Sequence, residues 1–289
     1  MRFLPAILIL ITIFLQSCTS TPTVPAPTLV PSERAEKKHD LVLIHGLANI
    51  HKWSDSFLEL CLKIWGSGHV FIVYSSAETG VITRTMNGKV LIIGGNGDKA
   101  GINPINKQVT NVTGIIQRLQ DNYSLQPPFS IIAHSMGGLV ARQYTYNNPN
   151  KVAGLVTLGT PHHGSPLAES FQWIGLFLNA AEAIKDLRPK NIALFNNKYP
   201  IGSTPLTSNK KIYTIRGVPD ATDCFGWAGE LLLGWQILST VYDTKSDGLV
   251  PYDSAMINGA EHIADFPHYD HYDLVRQPDV VKTAAEYLP

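Results

Sequence analysis

The chain has 289 residues, 44% of them apolar and 16% charged, enough for one large domain with a substantial core. Its 23 Lys and Arg balance 23 Asp and Glu, and the basic residues form no run, so no net field draws it to nucleic acid or to an anionic surface. That balance argues against nucleic-acid binding, and no internal repeat points to a solenoid or array.

The chain opens as a targeting segment. Arg2 precedes an apolar run from Phe3 to Leu15, too short for a comfortable membrane span. The run ends Leu15-Gln-Ser-Cys18, which resembles the lipobox of bacterial lipoproteins. In such proteins the Cys is acylated and becomes the new N-terminus, so residues 1–18 are expected to be a signal segment cleaved before Cys18, which carries the lipid attachment. Multiple acyl chains would hold the protein at a membrane surface, placing it in a bacterial cell envelope, at the outer membrane, its periplasmic face or the cell surface. Residues 19–38 are rich in Pro and Thr and read as a tether. The folded domain is expected over 39–289.

Within that domain, apolar runs and helical stripes alternate. Asp40 to Gly46 reads as a buried strand ending in His-Gly, and residues 53–65 as a helix with Trp53, Phe57, Leu60 and Ile64 on one face. Val70 to Tyr74 is the next strand. Residues 75–106 carry Val90 to Ile93 followed by Gly94, Gly95 and Gly97; without a G-x-G-x-x-G or Walker pattern they read as a surface excursion with a short extra strand. Residues 107–122 form an amphipathic helix. Phe129 to Ala133 is then a buried strand, and Leu139, Val140 and Tyr144 recur at helical spacing after it.

Between that strand and helix stands Ser135, flanked by Ala133 and Gly137. A strand, a sharp turn and a helix with Ser at the apex form a nucleophile elbow, usually written G-x-S-x-G, with Ala133 here in the first Gly position. Such a turn exposes Ser Oγ above the sheet and aims the Met136 N–H, at the helix start, toward a developing oxyanion. The backbone after Gly46 can supply the second donor, for which the Leu47 N–H is the candidate. His45 is expected to shape that turn by hydrogen bonding.

Val152 to Thr160 reads as another buried strand, ending in Gly159-Thr-Pro-His-His-Gly-Ser165. Together with the His-Gly of residues 45–46 and the Ala-His-Ser-Met-Gly-Gly elbow, this stretch resembles the bacterial triacylglycerol lipase/esterase branch of the α/β-hydrolases. The resemblance implies an α/β-hydrolase fold, a mostly parallel sheet with helices on both faces and a helical lid or cap, here about 165–205. It also implies that His162 and His163, which follow the wrong strand for a base, are structural. Residues 166–188 are expected to form a helix with more apolar surface than one core face needs, which suits a lid or acyl-chain wall as well as an ordinary buried helix. Lys211 to Gly217 is the next strand. Residues 224–242, with Phe225, Trp227, Leu231 to Leu233 and Trp235, form a second apolar segment that could pack as core or line an acyl pocket.

A hydrolase triad runs in the order Ser, acid, His. Ser-Asp-Gly-Leu-Val-Pro at 246–251 matches the family's acid loop and makes Asp247 the candidate acid, ahead of Asp243 and Asp253. After a last strand at His262 to Phe266, the family's base segment aligns on Asp270 to Asp273; it points to His271 as the base, with His268 as the rival. Residues 278–288 close the chain as a helix.

The expected activity is serine hydrolysis of carboxylic esters through Ser135, Asp247 and His271 by way of an acyl-enzyme. The same triad would serve an acyl-thioesterase or phospholipase, and a non-catalytic lipid-binding lipoprotein is the reading from another class. Acyl esters or lipids are the expected substrates, and the chain is expected to be a monomer without a cofactor. Some family members bind calcium near the base through an Asp matching Asp273 and another upstream. Asp223 is the best upstream residue here, and no metal site is expected. Cys61 and Cys224 are expected to be buried free thiols.

Overall fold

A computed structural model describes residues 32–49, 53–170, 179–208, 211–224, 226 and 229–289. The expected signal segment, Cys18 and most of the tether lie outside the described residues. The first strand, β1 (Glu33–Arg34), pairs antiparallel with β3 (Gly66–Ser67) and precedes the expected domain start. Between them come β2 (Leu41–Ile44) and α1 (Asp55–Trp65), whose start is capped by Ser54 Oγ accepting the Phe57 N–H. Strand β4 (Val70–Val73) follows, then a hairpin of β5 (Val81–Met86) and β6 (Lys89–Gly94). Helix α2 (Ile105–Asn122) leads to β7 (Phe129–His134), α3 (Met136–Asn147) and β8 (Val152–Leu158).

Among the described residues after β8 are the helices α4 (Leu167–Ser170), α5 (Ala181–Asp186) and α6 (Pro189–Lys198). The single helix expected over 166–188 is therefore interrupted. Asn179 takes a left-handed φ of 52° and Ala180 is the non-helical cap of α5, so the apolar stripe crosses a break. The chain ends with β9 (Ile212–Val218), α7 (Glu230–Val241), β10 (Glu261–Pro267) and α8 (Pro278–Tyr287). Phe225 and Trp227 of the second apolar segment lie outside the described residues.

Eight strands form one sheet in the order β10-β9-β8-β7-β2-β4-β6-β5. All neighbours run parallel except the edge pair β5 and β6. Strands β2, β4, β7 and β8 are buried at every position, as both faces of a parallel sheet must be when helices cover them. On one face α2, α3, α5 and α6 contribute Val112, Ile116, Leu139, Ile184 and Ile192 to the core. On the other, α1 and α8 contribute Phe57, Trp65, Val280 and Val281. This two-sided α/β architecture is the expected fold.

The expectation for 75–106 is met only in part. The hairpin extends the main sheet at its edge, and the glycine-rich stretch after β6 turns back beneath the segment following β2. There Gly101 accepts a hydrogen bond from the Ala48 N–H (3.0 Å). The expected extra strand is β6 and most of residues 77–88 is exposed, but the stretch around Gly101 is a packed part of the domain.

Candidate active site

In an open parallel sheet, the loops after the carboxyl ends of the strands form the crevice where ligands bind. Four of the expected residues stand there: Leu47 after β2, Ser135 after β7, Asp247 between β9 and β10, and His271 after β10. The Ser135 turn is strained, with φ 54° and ψ −134°, a conformation costly for a residue with a Cβ. It is held by the Ser135 N–H donating to the Leu158 carbonyl (2.8 Å) and by Thr160 Oγ donating to the Ser135 carbonyl (2.8 Å). The turn also needs a small residue at 137, where a Cβ would come within 2.3 Å of the His45 carbonyl oxygen.

Ser135 is only 8% exposed, so it is sheltered where an open elbow was expected. Gly46 packs against it so closely that a Cβ there would lie 2.6 Å from Ser135 Cβ and 3.1 Å from Oγ. Met136 opens α3, with its N–H among the unpaired donors of a helix start, and Leu47 opens a short turn (Leu47–Asn49) in which Ala48 takes φ 52°.

Asp247 and His271 form a buried pair. His271 Nδ1 donates to Asp247 Oδ2 at 2.7 Å, and the backbones join as well, His271 N–H to the Asp247 carbonyl at 2.8 Å. The other carboxylate oxygen, Oδ1, accepts the N–H groups of Leu249 (3.1 Å) and Val250 (2.8 Å). His268, the rival base, instead faces Asp223, with Nδ1 at 3.0 Å from Oδ2, and its ring is exposed. Asp243 and Asp253 make no contact with either His271 or Ser135 among the described hydrogen bonds.

Two residues of this site escaped the sequence reading. Gly159 has φ 53°, and a Cβ on it would sit 2.9 Å from Asp247 Oδ2 and 3.2 Å from His271 Nδ1. The Asp247–His271 pair therefore occupies the space that a side chain at 159 would need. His134, beside the serine, pairs its Nε2 with the His271 carbonyl (2.9 Å) and lies with its ring 4.6 Å from the His271 ring. Since a carbonyl only accepts, His134 Nε2 carries the proton. Both stood inside quoted motifs, Gly159 in the G-x-P-H-x-G-S signature and His134 in the Ala-His-Ser-Met-Gly-Gly elbow, but neither motif told what the residue would touch.

Of the histidines expected to be structural, His45 and His162 are buried and hydrogen-bonded, whereas His163 is exposed. His45 donates from Nδ1 to the Gly46 carbonyl (2.7 Å), so Nε2 is free to accept the Ser75 N–H (3.0 Å). Its burial pushes the imidazole down to about 4, so it stays neutral. His162 is buried against Arg142 and Thr157, and burial together with that guanidinium lowers its pKa well below the ordinary value. Arg142 itself is 0% exposed and has no carboxylate partner among the described residues. It meets His162 Nδ1 (3.4 Å), Asn196 Oδ1 and the face of Phe195 (4.6 Å), and burial lowers its pKa to about 10. Cys61 and Cys224 are both buried free thiols.

Among the described residues one trio offers three potential ligand atoms within 4.8 Å of one another: Asp220, Asp223 and His268. Asp273, the residue the resemblance set beside Asp223, instead accepts the Asp270 N–H (3.2 Å), while its own N–H donates to Asp270 (3.0 Å).

Residues 41–200 match the family model described as the alpha/beta hydrolase fold. The chain belongs to that family. It is 28% identical over 138 residues to a triacylglycerol lipase of Pseudarthrobacter phenanthrenivorans and to one of Burkholderia plantarii; the aligned part is 48% of this chain but only 38% and 34% of those lipases. Its fold is similar to that of the mature Bacillus licheniformis lipase BlEst2 (TM-score 0.61, 19% identity, 88% of this chain and 93% of that one). The metagenomic carboxyl esterase MGS0156 (0.57, 15%, 93% and 81%) and Staphylococcus hyicus lipase (0.56, 12%, 91% and 93%) share it too. At these identities the likeness is one of fold.

Proposed function

We propose that the chain is a carboxylic ester hydrolase working through Ser135, Asp247 and His271. The observation that carries this reading is the buried 2.7 Å pair between His271 Nδ1 and Asp247 Oδ2, set on the same sheet edge as a serine in a strained strand-to-helix turn. A carboxylate accepting from Nδ1 fixes the tautomer that leaves His271 Nε2 as the base, and it stabilises the imidazolium formed when that nitrogen takes a proton. His271 takes the Ser135 proton as Oγ attacks the ester carbonyl. The oxyanion is held by the N–H groups of Met136 and Leu47, each donor contributing about 3–4 kcal/mol in comparable sites. Collapse expels the alcohol, which His271 protonates, and leaves an acyl-enzyme. Water, deprotonated by His271, then releases the acid.

The apolar stretches around residues 167–180 and 225–238 favour acyl chains of medium to long length, and the triacylglycerol lipases among the relatives favour a lipid ester. Acylation at Cys18 would keep the enzyme in the cell envelope beside such substrates. The test is turnover of p-nitrophenyl esters of graded chain length, with acyl-thioesters and phospholipids as competing arms, by the native chain and by Ser135→Ala. The expected result is ester turnover lost in Ser135→Ala, with Ser135 labelled by a fluorophosphonate probe in the native chain. Turnover retained by the variant would overturn the reading.

A further inference from the structure

We infer that Ser75, Gly101 and Gln108 form a buried brace that positions both halves of the oxyanion hole, making them positioning residues for the hydrolytic step. The inference rests on the reading above, in which the Leu47 and Met136 N–H groups are the donors. One hydrogen-bonded chain links the two arms. On the first, the Ala48 N–H donates to the Gly101 carbonyl (3.0 Å), and the Gly101 N–H donates to Ser75 Oγ (3.0 Å). Ser75 Oγ then donates to Gln108 Oε1 (2.8 Å). On the second, Gln108 Nε2 donates to the Asn103 carbonyl (2.6 Å) and approaches Met136 Sδ (3.6 Å). Ser75, Gln108 and Met136 are fully buried, so these bonds have no competing water and set geometry strongly.

The brace is also a steric one. Gly101 has φ 73°, and a Cβ there would lie 2.4 Å from the Gly46 carbonyl oxygen, 2.5 Å from the Ala48 nitrogen and 3.1 Å from the Leu47 carbonyl carbon. The Leu47 peptide is thus held between Ser135 on one side, through Gly46, and Gly101 on the other. Ser75 satisfies both sides at once: its N–H fixes the His45 ring, whose Nδ1 holds the Gly46 carbonyl (2.7 Å), and its hydroxyl fixes Gly101. Removing that hydroxyl leaves the Gly101 N–H and Gln108 Oε1 buried without this partner and frees the 46–48 segment to drift from the distance at which its donor meets an oxyanion.

The experiment compares Ser75→Ala with the native chain in two measurements: steady-state hydrolysis of p-nitrophenyl butyrate and inhibition by an alkyl trifluoromethyl ketone. The ketone reports on the hole directly. Ser135 Oγ bonds to its carbonyl carbon, the C=O π pair moves to the oxygen as an oxyanion, and the serine proton passes to His271. Deleting a donor outright costs about 10²–10³ in rate, so displacing one should lower kcat roughly 10–100-fold while KM changes less than twofold, with Ki for the ketone rising in parallel. Leu119→Ala, a core substitution about three turns further along α2 from Gln108, is the control for a general loss of stability and should leave kcat and Ki within twofold. Unchanged Ki in Ser75→Ala, or an equal rise in the control, overturns the brace. If Ser75→Ala does not fold, Gln108→Met is read the same way. The underlying hydrolase reading fails separately, by turnover that survives Ser135→Ala.

Discussion

Gly159→Ala is the sharpest test of how the proposed triad is held. The glycine adopts φ 53°, which costs a residue with a Cβ about 1–2 kcal/mol. The added carbon would stand 2.9 Å from Asp247 Oδ2, 3.2 Å from His271 Nδ1 and 2.9 Å from Leu274 Cδ1, whereas ordinary contact begins near 3.4 Å. The carboxylate or the ring must therefore move by roughly 0.5–1 Å. A misplacement of about 1 Å costs on the order of 10² in rate, and the ceiling is the ~10⁴ loss seen when a triad acid can no longer set the histidine tautomer. Gly159→Ala should therefore cut kcat by about 10–10³, with Asp247→Asn marking the lower bound of activity. The strain should lower Tm by only about 2–8 °C, since 1 kcal/mol shifts a domain of this size by roughly 2–4 °C. The assay is p-nitrophenyl butyrate hydrolysis at a temperature where calorimetry shows both proteins folded. A folded Gly159→Ala with native kcat would show that the 2.7 Å contact between His271 and Asp247 does not govern the chemistry.

Three further perturbations follow from particular contacts. His134→Phe keeps a ring beside His271 but leaves its carbonyl without the 2.9 Å donor; an unsatisfied buried acceptor costs about 1–3 kcal/mol, so kcat and Tm should both fall, and His134→Gln should recover part of each in a side-by-side assay. Arg142→Met and Asn196→Leu should be non-additive in urea unfolding, with a coupling of at least ~1 kcal/mol, because either change alone strands a buried polar partner. The pH dependence of Tm should report two opposed groups. Burial and Asp273 raise the Asp270 pKa from 3.8 to about 6, so on acidification from pH 6 the fold takes up a proton before the unfolded chain does and gains stability. His45 shifts the other way, from 6.5 to about 4, so below pH 6.5 the unfolded chain binds the proton first and stability falls. Asp270→Asn, whose carbonyl oxygen can still accept the Tyr272 and Asp273 N–H groups, removes only the first of these. Its Tm should drop more steeply than the native value between pH 6 and 4, and parallel curves would refute the assignment.

The parts of the fold that a reader of the sequence can see are those in which local pattern and tertiary role coincide. Strands β2 and β4 are uninterrupted apolar runs, and β7 and β8 nearly so, because both faces of the sheet are covered, and α1, α2 and α8 show their core-facing stripes. Strand β5 was missed because it lies at the sheet edge and four of its six positions are exposed, so it carries no apolar run. A signal was nonetheless present: Asn87-Gly88 joins β5 to β6 with φ 47° and 76°, the two-residue turn that most strongly marks a hairpin. The helix read through 179–180 failed for the opposite reason. Apolar spacing continued across Asn179, whose left-handed backbone no stripe of neighbouring residues reports.

The candidate site divides along the same line. Ser135, Asp247 and His271 are recognisable because each sits in a short motif whose residues the turn itself requires. What positions them is contributed by residues distant in sequence and ordinary in type: Ser75 and Gln108 are separated by the whole β5–β6 hairpin, and Gly159 gives no local hint that it faces a carboxylate. A parallel sheet makes this division inevitable, since every crossover returns the chain to the same edge and juxtaposes loops that share no sequence context. The polar network around the proposed oxyanion segment is therefore where substitutions far from the proposed triad in sequence should act on rate, with substrate affinity little changed. A scan of buried polar residues scored by the ratio of ketone Ki to KM should place Ser75 and Gln108 above Ser130, which is equally buried but lies on β7 away from that network. Equal ratios at the three positions would mean that burial alone sets the effect and that the brace transmits nothing to the hole.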